Sequence, residues 1–279
     1  MIRSLLLALI FSVTAPLSSH GDYTVSVRPE KIRQGDALLI TVRGGSSALP
    51  SGTIGARDLI FHRNQDGMAF SLAFIGLEQP AGKYTLTIVH DGRTKKRILK
   101  VLPVKVKKIH LSLPEDKVTL SPEDEQRADR ERERMKSFWE IATDKIWDGR
   151  FINPVDEEIS TEFGLLRIIN NHKESMHRGI DYRGAEGTPV RSINAGKVVL
   201  SDDEFFGGNT VMIDHGEGIF SVYMHLQQRL VTEGQMIQKG EIIGLIGSSG
   251  RSTGPHLHLS VKYRDLSVNP LSLFQHPLD

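Results

Sequence analysis

The chain reads as a mainly β protein: an N-terminal immunoglobulin-like β-sandwich, a connecting helix, and a C-terminal domain built on an antiparallel β-sheet. Three observations predict this. Short runs of alternating polarity, broken by turn residues, fill residues 22–104. A block of intermixed charges at helical spacing lies within residues 105–149. From residue 150 to 279, glycines mark turn after turn between further alternating runs. The length of 279 residues suits about two domains.

In the first part, YTVSVRP, ALLITVRG, DLIFHR, MAFSLAFIG, KYTLTIV and KRILKVL each read as a strand. Turns are expected at Gly35-Asp36, Gly44-Gly45, Asp66-Gly67, Pro80 to Gly82 and Asp91-Gly92. Six or seven short strands at this spacing fit a small sandwich. His62, His90 and His110 are scattered through it and read as surface or rim residues.

The helix signal is local. Ser121 is an N-cap with Pro122 after it and Asp124 at the third helical position. The pattern predicts a helix running to Trp147 and stopping at Gly149. Its first half is charged and solvated; its second half, with Phe138, Trp139, Ile141, Ile146 and Trp147, has an apolar face to dock.

Composition narrows the function classes. A net charge of +1 gives no reason to expect a nucleic-acid partner. With no cysteine, disulfides, thiolate metal sites and a cysteine nucleophile are excluded, as is a lipid anchor on a cysteine. Residues 1–21 carry Arg3, a short apolar core from Leu5 to Val13 and small residues up to Gly21, the pattern of an export signal. No membrane span is expected, and the periplasm or the exterior is the expected location.

The chemistry concentrates in three segments of the last domain. In HLHLSV, His256, His258 and Ser260 share one strand face, and Leu257, Leu259 and Val261 share the other. In IFSVYMHL the same alternation places Ser221, Tyr223 and His225 outward, and Phe220, Val222 and Met224 inward. In HRGIDY, His177 and Asp181 flank Gly179, which leaves space where a Cβ would stand. Imidazole and carboxylate together suit zinc, whose catalytic sites use three protein ligands and keep one position for water. Four histidines and one aspartate exceed that need, so the surplus imidazoles are free to handle protons.

HRGID resembles the HxGxD motif of the M23, or lysostaphin-type (LytM-type), zinc endopeptidases. VYMHL is similar to their Y-x-H-L segment, and STGPHLHLS to their G-P-H-x-H motif. The likeness runs in order from about Phe151 to Phe274; one departure is Thr161 in TEFG, where the family often has serine. The resemblance implies one zinc per chain on His177, Asp181 and His258, with His225 and His256 as catalytic histidines. It implies cleavage of amide bonds in peptidoglycan cross-links, and it likens residues 22–104 to an accessory module. Tyr223 and Arg167 are expected to line the substrate groove.

Competing readings are weaker. A LytM-type regulator without activity is the alternative, but such proteins lack metal ligands and this set is complete. Asp202, Asp203 and Glu204 invite comparison with glycosidase carboxylates but read as a solvated hairpin tip. GSSGRSTG lacks the Gly-Lys of a phosphate loop and reads as a turn lifting His256. His172 and Glu174 read as groove rim, His215 as a structural turn residue, and His276 as tail.

Overall fold

A computed structural model describes residues 22–278 apart from 113, 114, 116, 117 and 142. The expected export signal, residues 1–21, lies outside the described residues. Before the helix come β1 (Tyr23–Arg28), β2 (Ile32–Arg33), β3 (Ala37–Gly44), β4 (Ser51–Ile54), β5 (Arg57–Asp58), β6 (His62–Arg63), β7 (Ala69–Phe74), β8 (Gly82–His90), β9 (Arg93–Leu102) and β10 (Lys108–Leu111). Helix α1 (Pro122–Trp139) follows. Then come β11 (Ile159–Thr161), β12 (Leu166–Ile169), β13 (Lys173–Met176), β14 (Ile180–Arg183), β15 (Pro189–Arg191) and β16 (Gly196–Glu204). The chain continues with β17 (Gly208–Asp214), β18 (Ile219–Arg229), β19 (Met236–Ile237), β20 (Ile242–Ile246), β21 (His256–Tyr263), β22 (Leu266–Val268) and helix α2 (Pro270–Phe274). No helix among the described residues is long and apolar enough to cross a membrane.

The N-terminal strands form two sheets, ordered β1-β3-β7-β6 and β2-β9-β8-β4-β5. The turn between β8 and β9 is Asp91-Gly92, both at positive φ, the backbone a two-residue hairpin demands. Strand β3 explains its own sequence. Leu38 and Ile40 enter the sandwich core with Tyr23, Ile75 and Leu86. Ala37 and Leu39 point the opposite way and join the core of the C-terminal sheet. A strand buried on both faces reads as the near-continuous apolar run ALLITV.

The chain's end reinforces that seam. Ala37 N donates to Ser272 Oγ at 2.8 Å, and His276 Nε2 lies 2.9 Å from Ala37 O, its ring fully enclosed rather than part of a loose tail. His90 is likewise buried, edge-on to Tyr23, instead of standing at the rim.

Helix α1 starts as expected: Ser121 Oγ accepts from Asp124 N at 3.1 Å. It ends at Trp139, eight residues short of the predicted Trp147. The apolar residues beyond it are held by other means. The amides of Ile146 and Trp147 both donate to His215 O, at 2.9 and 2.8 Å, and Glu217 N donates to Thr143 O. These tertiary bonds, with the burial of Trp147 against Phe151 and Phe70, replace the helical ladder. The charged half of α1 is not merely solvated. Arg127 pairs with Asp203, and Arg134 with Asp202 and Glu233, so the acidic hairpin tip is where the helix docks.

The large C-terminal sheet runs β11-β14-β21-β18-β17-β16-β19, with β15, β20 and β22 paired at its flanks. Strand β21 lies between β14 and β18. Its register sets Asp181 opposite His258, Arg183 opposite His256, and Met224 opposite His258. One face, with Ile180, Tyr182, Tyr223, Leu257, Leu259 and Val261, is the main core. The other bears the histidines at one end and Met212, Phe220 and Val222 further along, where α1 packs through Met135, Phe138 and Trp139. A small sheet, β10-β12-β13, stands beside the histidine end.

Candidate active site

Three donor atoms converge where β14 and β21 pair. His177 Nε2 lies 3.0 Å from Asp181 Oδ1 and 3.1 Å from His258 Nδ1, and His258 Nδ1 lies 2.6 Å from Asp181 Oδ1. All three side chains are buried. Their far sides are already committed. His177 Nδ1 donates to Glu162 O at 2.7 Å, which leaves Nε2 as a bare acceptor. His258 Nε2 is held at 2.8 Å by Ser260 Oγ. Asp181 Oδ2 accepts from Arg167 Nη2 at 2.5 Å.

Burial works against charge on Asp181, yet the close approach of His177 and His258 overcomes it and holds the carboxyl far below the usual carboxylate range. Burial pushes the His258 imidazole down, toward its neutral form. Neutral nitrogens and a carboxylate oxygen facing one another at these distances want a cation between them.

The donor set therefore fits a metal ion. Tetrahedral ligand atoms at ~2.0–2.1 Å from a zinc-sized ion stand ~3.3 Å apart, so the group needs to open by about 0.2–0.3 Å at His177 and about 0.7 Å between His258 and Asp181. Gly179 supplies the room. A Cβ there would sit 2.7 Å from His258 Cε1 and Nε2, and closer still to Leu259 O. The absent side chain is what lets the His258 ring lie against the segment that carries His177 and Asp181.

His256 and His225 stand next to this group. Their ring centroids are 4.7 Å apart, and His225 is 6.2 Å from His258. His256 Nδ1 donates to Gly254 O at 2.8 Å, and His225 Nδ1 donates to Ser249 O at 2.9 Å. Both rings thus keep Nε2 as the free acceptor. Burial, followed by the neighbouring His256 and His258, pushes His225 down to about 3, which keeps it neutral.

His225 does not reach the site by the simple alternation expected. Ser221 and Tyr223 face the core, and Met224 shares the face of His258. An irregularity in the β17–β18 pairing falls here, and His225 takes φ +65 with its amide on Gly207 O. That bulge turns the imidazole onto the face its position in the strand would deny it.

Tyr223 is therefore not a groove residue. It is fully enclosed, its hydroxyl 2.8 Å from Ile193 N and 3.1 Å from Ser221 Oγ, and burial pushes it up to about 12. The same chain ends on His215, whose Nε2 is 2.7 Å from Ser221 Oγ and whose Nδ1 donates to Ala195 O. Arg167, by contrast, does line the groove. Its Nε is, among the described residues, a buried polar atom without a hydrogen-bond partner. Leaving such a donor unmatched costs on the order of 1–3 kcal/mol, which the Asp181 contact offsets.

The groove holds about 320 Å³ and runs past Asp181, His225 and His256. Two of its wall residues, Ile109 and Leu111 on β10, were invisible as site residues because they lie in the segment read as a linker. Ser260 had a usable signal: it sits two residues after His258 on the same strand face. The carbonyls of Glu162, Ser249 and Gly254 had none, since every residue has one. His172 is exposed, its Nδ1 on Asn170 O, and stays outside the cluster.

Residues 175–270 match peptidase family M23. The DD-carboxypeptidase/endopeptidase Mpg of Neisseria meningitidis is 41% identical over 115 residues, 41% of this chain and 26% of that protein. Peptidoglycan DD-endopeptidase ShyA of Vibrio cholerae is 39% identical over 121 residues, 42% of this chain and 28% of that one. The chain thus spans only about a quarter of the length of these curated relatives. A crystal structure from Pseudomonas aeruginosa assigned to peptidase M23 superposes with a TM-score of 0.67 at 25% identity, covering 88% of this chain and 95% of that one. The catalytic domain of lysostaphin from Staphylococcus simulans is 30% identical over 94% of its length, with a TM-score of 0.40. The motifs, the convergent His-Asp-His group and the family match lead to one statement: residues 175–270 carry a peptidase M23 domain.

Proposed function

We propose that the chain is a zinc-dependent endopeptidase that hydrolyses amide bonds in peptidoglycan cross-links. The observation that carries this reading is the meeting of His177 Nε2, Asp181 Oδ1 and His258 Nδ1 beside two further imidazoles whose Nε2 atoms are free. The choice of zinc follows the donor set, two nitrogens and a carboxylate with no thiolate in the chain. The choice of substrate follows the relatives named for DD-endopeptidase activity.

A divalent ion on the His-Asp-His group supplies a water of lowered pKa and a polarised scissile carbonyl. The remaining work belongs to the chain. The groove orients the peptide past Asp181 and His256. His256, half-buried at the groove surface, takes a proton from the attacking water at Nε2 and returns it to the leaving amine. His225 is neutral, its Nδ1–H committed to Ser249 O, so its Nε2 serves as a second acceptor that orients the attacking water beside His256. Arg167 holds the second oxygen of Asp181 and fixes the carboxylate's orientation. Residues 22–104 act as the accessory module in this reading, and β10 contributes part of the groove wall. The relatives' substrate lies outside the cytoplasm, which together with the export-signal pattern supports a periplasmic location.

Digestion of purified sacculi tests the reading. New amino groups, released by the metal-loaded chain and lost on chelation, are expected. New reducing sugar ends without new amines, or no product together with no bound metal, would contradict it.

A further inference from the structure

We propose that the groove selects peptides bearing an unmodified carboxylate on the residue next to the scissile amide, and that Arg183 and Arg251 read that carboxylate. The inference deepens the endopeptidase reading and rests on it.

Three guanidinium groups line the groove, those of Arg167, Arg183 and Arg251, against one carboxylate, Asp181. That carboxylate is spoken for: Oδ2 accepts from Arg167, and Oδ1 faces the imidazoles. Among the described residues no carboxylate lies within 4.0 Å of Arg183 or Arg251. The groove thus concentrates positive charge that the fold itself leaves uncompensated.

Arg251 is also held in place. Its Cζ stacks 4.2 Å from the Phe206 ring, and its amide donates to Phe206 O at 3.0 Å. Its pKa is depressed by burial and then by the charge of Arg167. Such crowding weakens the free protein and is relieved when an anion binds. Arg183 pairs across the β14–β21 ladder with His256. Cross-strand partners stand ~4.5–5.5 Å apart at Cα and share a sheet face, so this guanidinium starts beside the proposed base. A carboxylate one residue from the cut bond falls within its reach.

Guanidinium forks match a carboxylate in two parallel hydrogen bonds, and a carboxamide matches them poorly. Ile109, Leu111 and Ile169 add apolar lining and no competing anion. The groove therefore suits a cross-link through a diamino diacid with its carboxylate free. It suits the amidated form less, and a bridge of glycines less again.

The test compares two soluble cross-linked muropeptide dimers that differ only in carboxylate or carboxamide beside the scissile amide. The full metal-loaded chain is expected to favour the carboxylate form by about tenfold to a hundredfold in kcat/KM, mainly through KM, with the gap shrinking as salt is added. Arg183→Gln and Arg251→Gln should each shrink the carboxylate-to-carboxamide ratio of kcat/KM, with the larger loss on the carboxylate form, and Arg251→Lys should keep part of it. Arg183 is exposed, so its variant remains informative even if Arg251→Gln folds poorly. Equal kcat/KM for both dimers in the native chain overturns the inference. If neither dimer is cut, the endopeptidase reading fails, and equilibrium binding of the two dimers still decides whether the groove prefers the carboxylate.

Discussion

Replacing Gly179 with alanine adds one carbon at the point where the proposed ligand strands meet. That carbon would lie 2.7 Å from two atoms of the His258 ring and closer still to Leu259 O, where ordinary contact begins near 3.4 Å. Relief requires the ring to retreat by roughly 0.7 Å and the β21 backbone by roughly 1 Å, a typical overpacking cost of about 1–3 kcal/mol. The ring is the one whose Nδ1 faces Asp181 and His177, so the displacement also opens the donor group. Losses of about tenfold to a hundredfold in metal affinity accompany disturbances of this kind around a ligand. Urea unfolding of the metal-free protein reads the first effect, and competition for zinc against a coloured chelator reads the second. Gly254→Ala is the control, since a Cβ there meets nothing within 4 Å. Native zinc affinity in Gly179→Ala would refute the claim that this glycine makes room for the ligand ring.

Other expectations separate the roles within the site and the contributions to stability. His258→Ala should lose both stoichiometric metal and turnover, whereas His256→Ala should retain metal and lose turnover; elemental analysis and product release on the same samples check this. His215, pushed down from 6.5 to about 4 by burial, stays neutral in the fold while the unfolded chain takes up a proton. Its contribution is present above pH 6.5 and is lost as pH falls toward 4, by about 3 kcal/mol. His215→Asn should flatten the stability profile over that window, as read by urea midpoints. Glu204 behaves oppositely. Burial, then Glu131, pushes it up to about 7, so its proton is kept in the fold and lost from the unfolded chain between about pH 4.5 and 7. Stability from this group declines as pH rises through that window, and Glu204→Gln should be the more stable protein at pH 8 but not at pH 4.

Much of this was legible because period-two patterning and a few turn residues carry it. HLHLSV placed His256 and His258 on one face and three apolar residues on the other, and the register agrees. Asp91-Gly92 announced its hairpin. The same rule misdirected at β18, where the alternation put Tyr223 and His225 together; a bulge with a left-handed His225 separates them. Bulges leave little trace in one sequence, because a histidine at positive φ looks like any other. The overlong helix was a tertiary override. Ile146 and Trp147 keep helical spacing with Phe138 and Trp139, yet His215 O takes their amides. The linker's part in the groove was hidden for a similar reason, since the pairing of β10 with β12 spans more than fifty residues.

The central claim is that His177, Asp181 and His258 share one divalent ion. X-ray absorption at the zinc edge of the reconstituted chain measures this directly. One ion per chain is expected, with a nitrogen and oxygen shell at ~2.0–2.2 Å and outer-shell scattering from two imidazoles. Scattering from a single imidazole or none, or zinc well below one per chain, would contradict it.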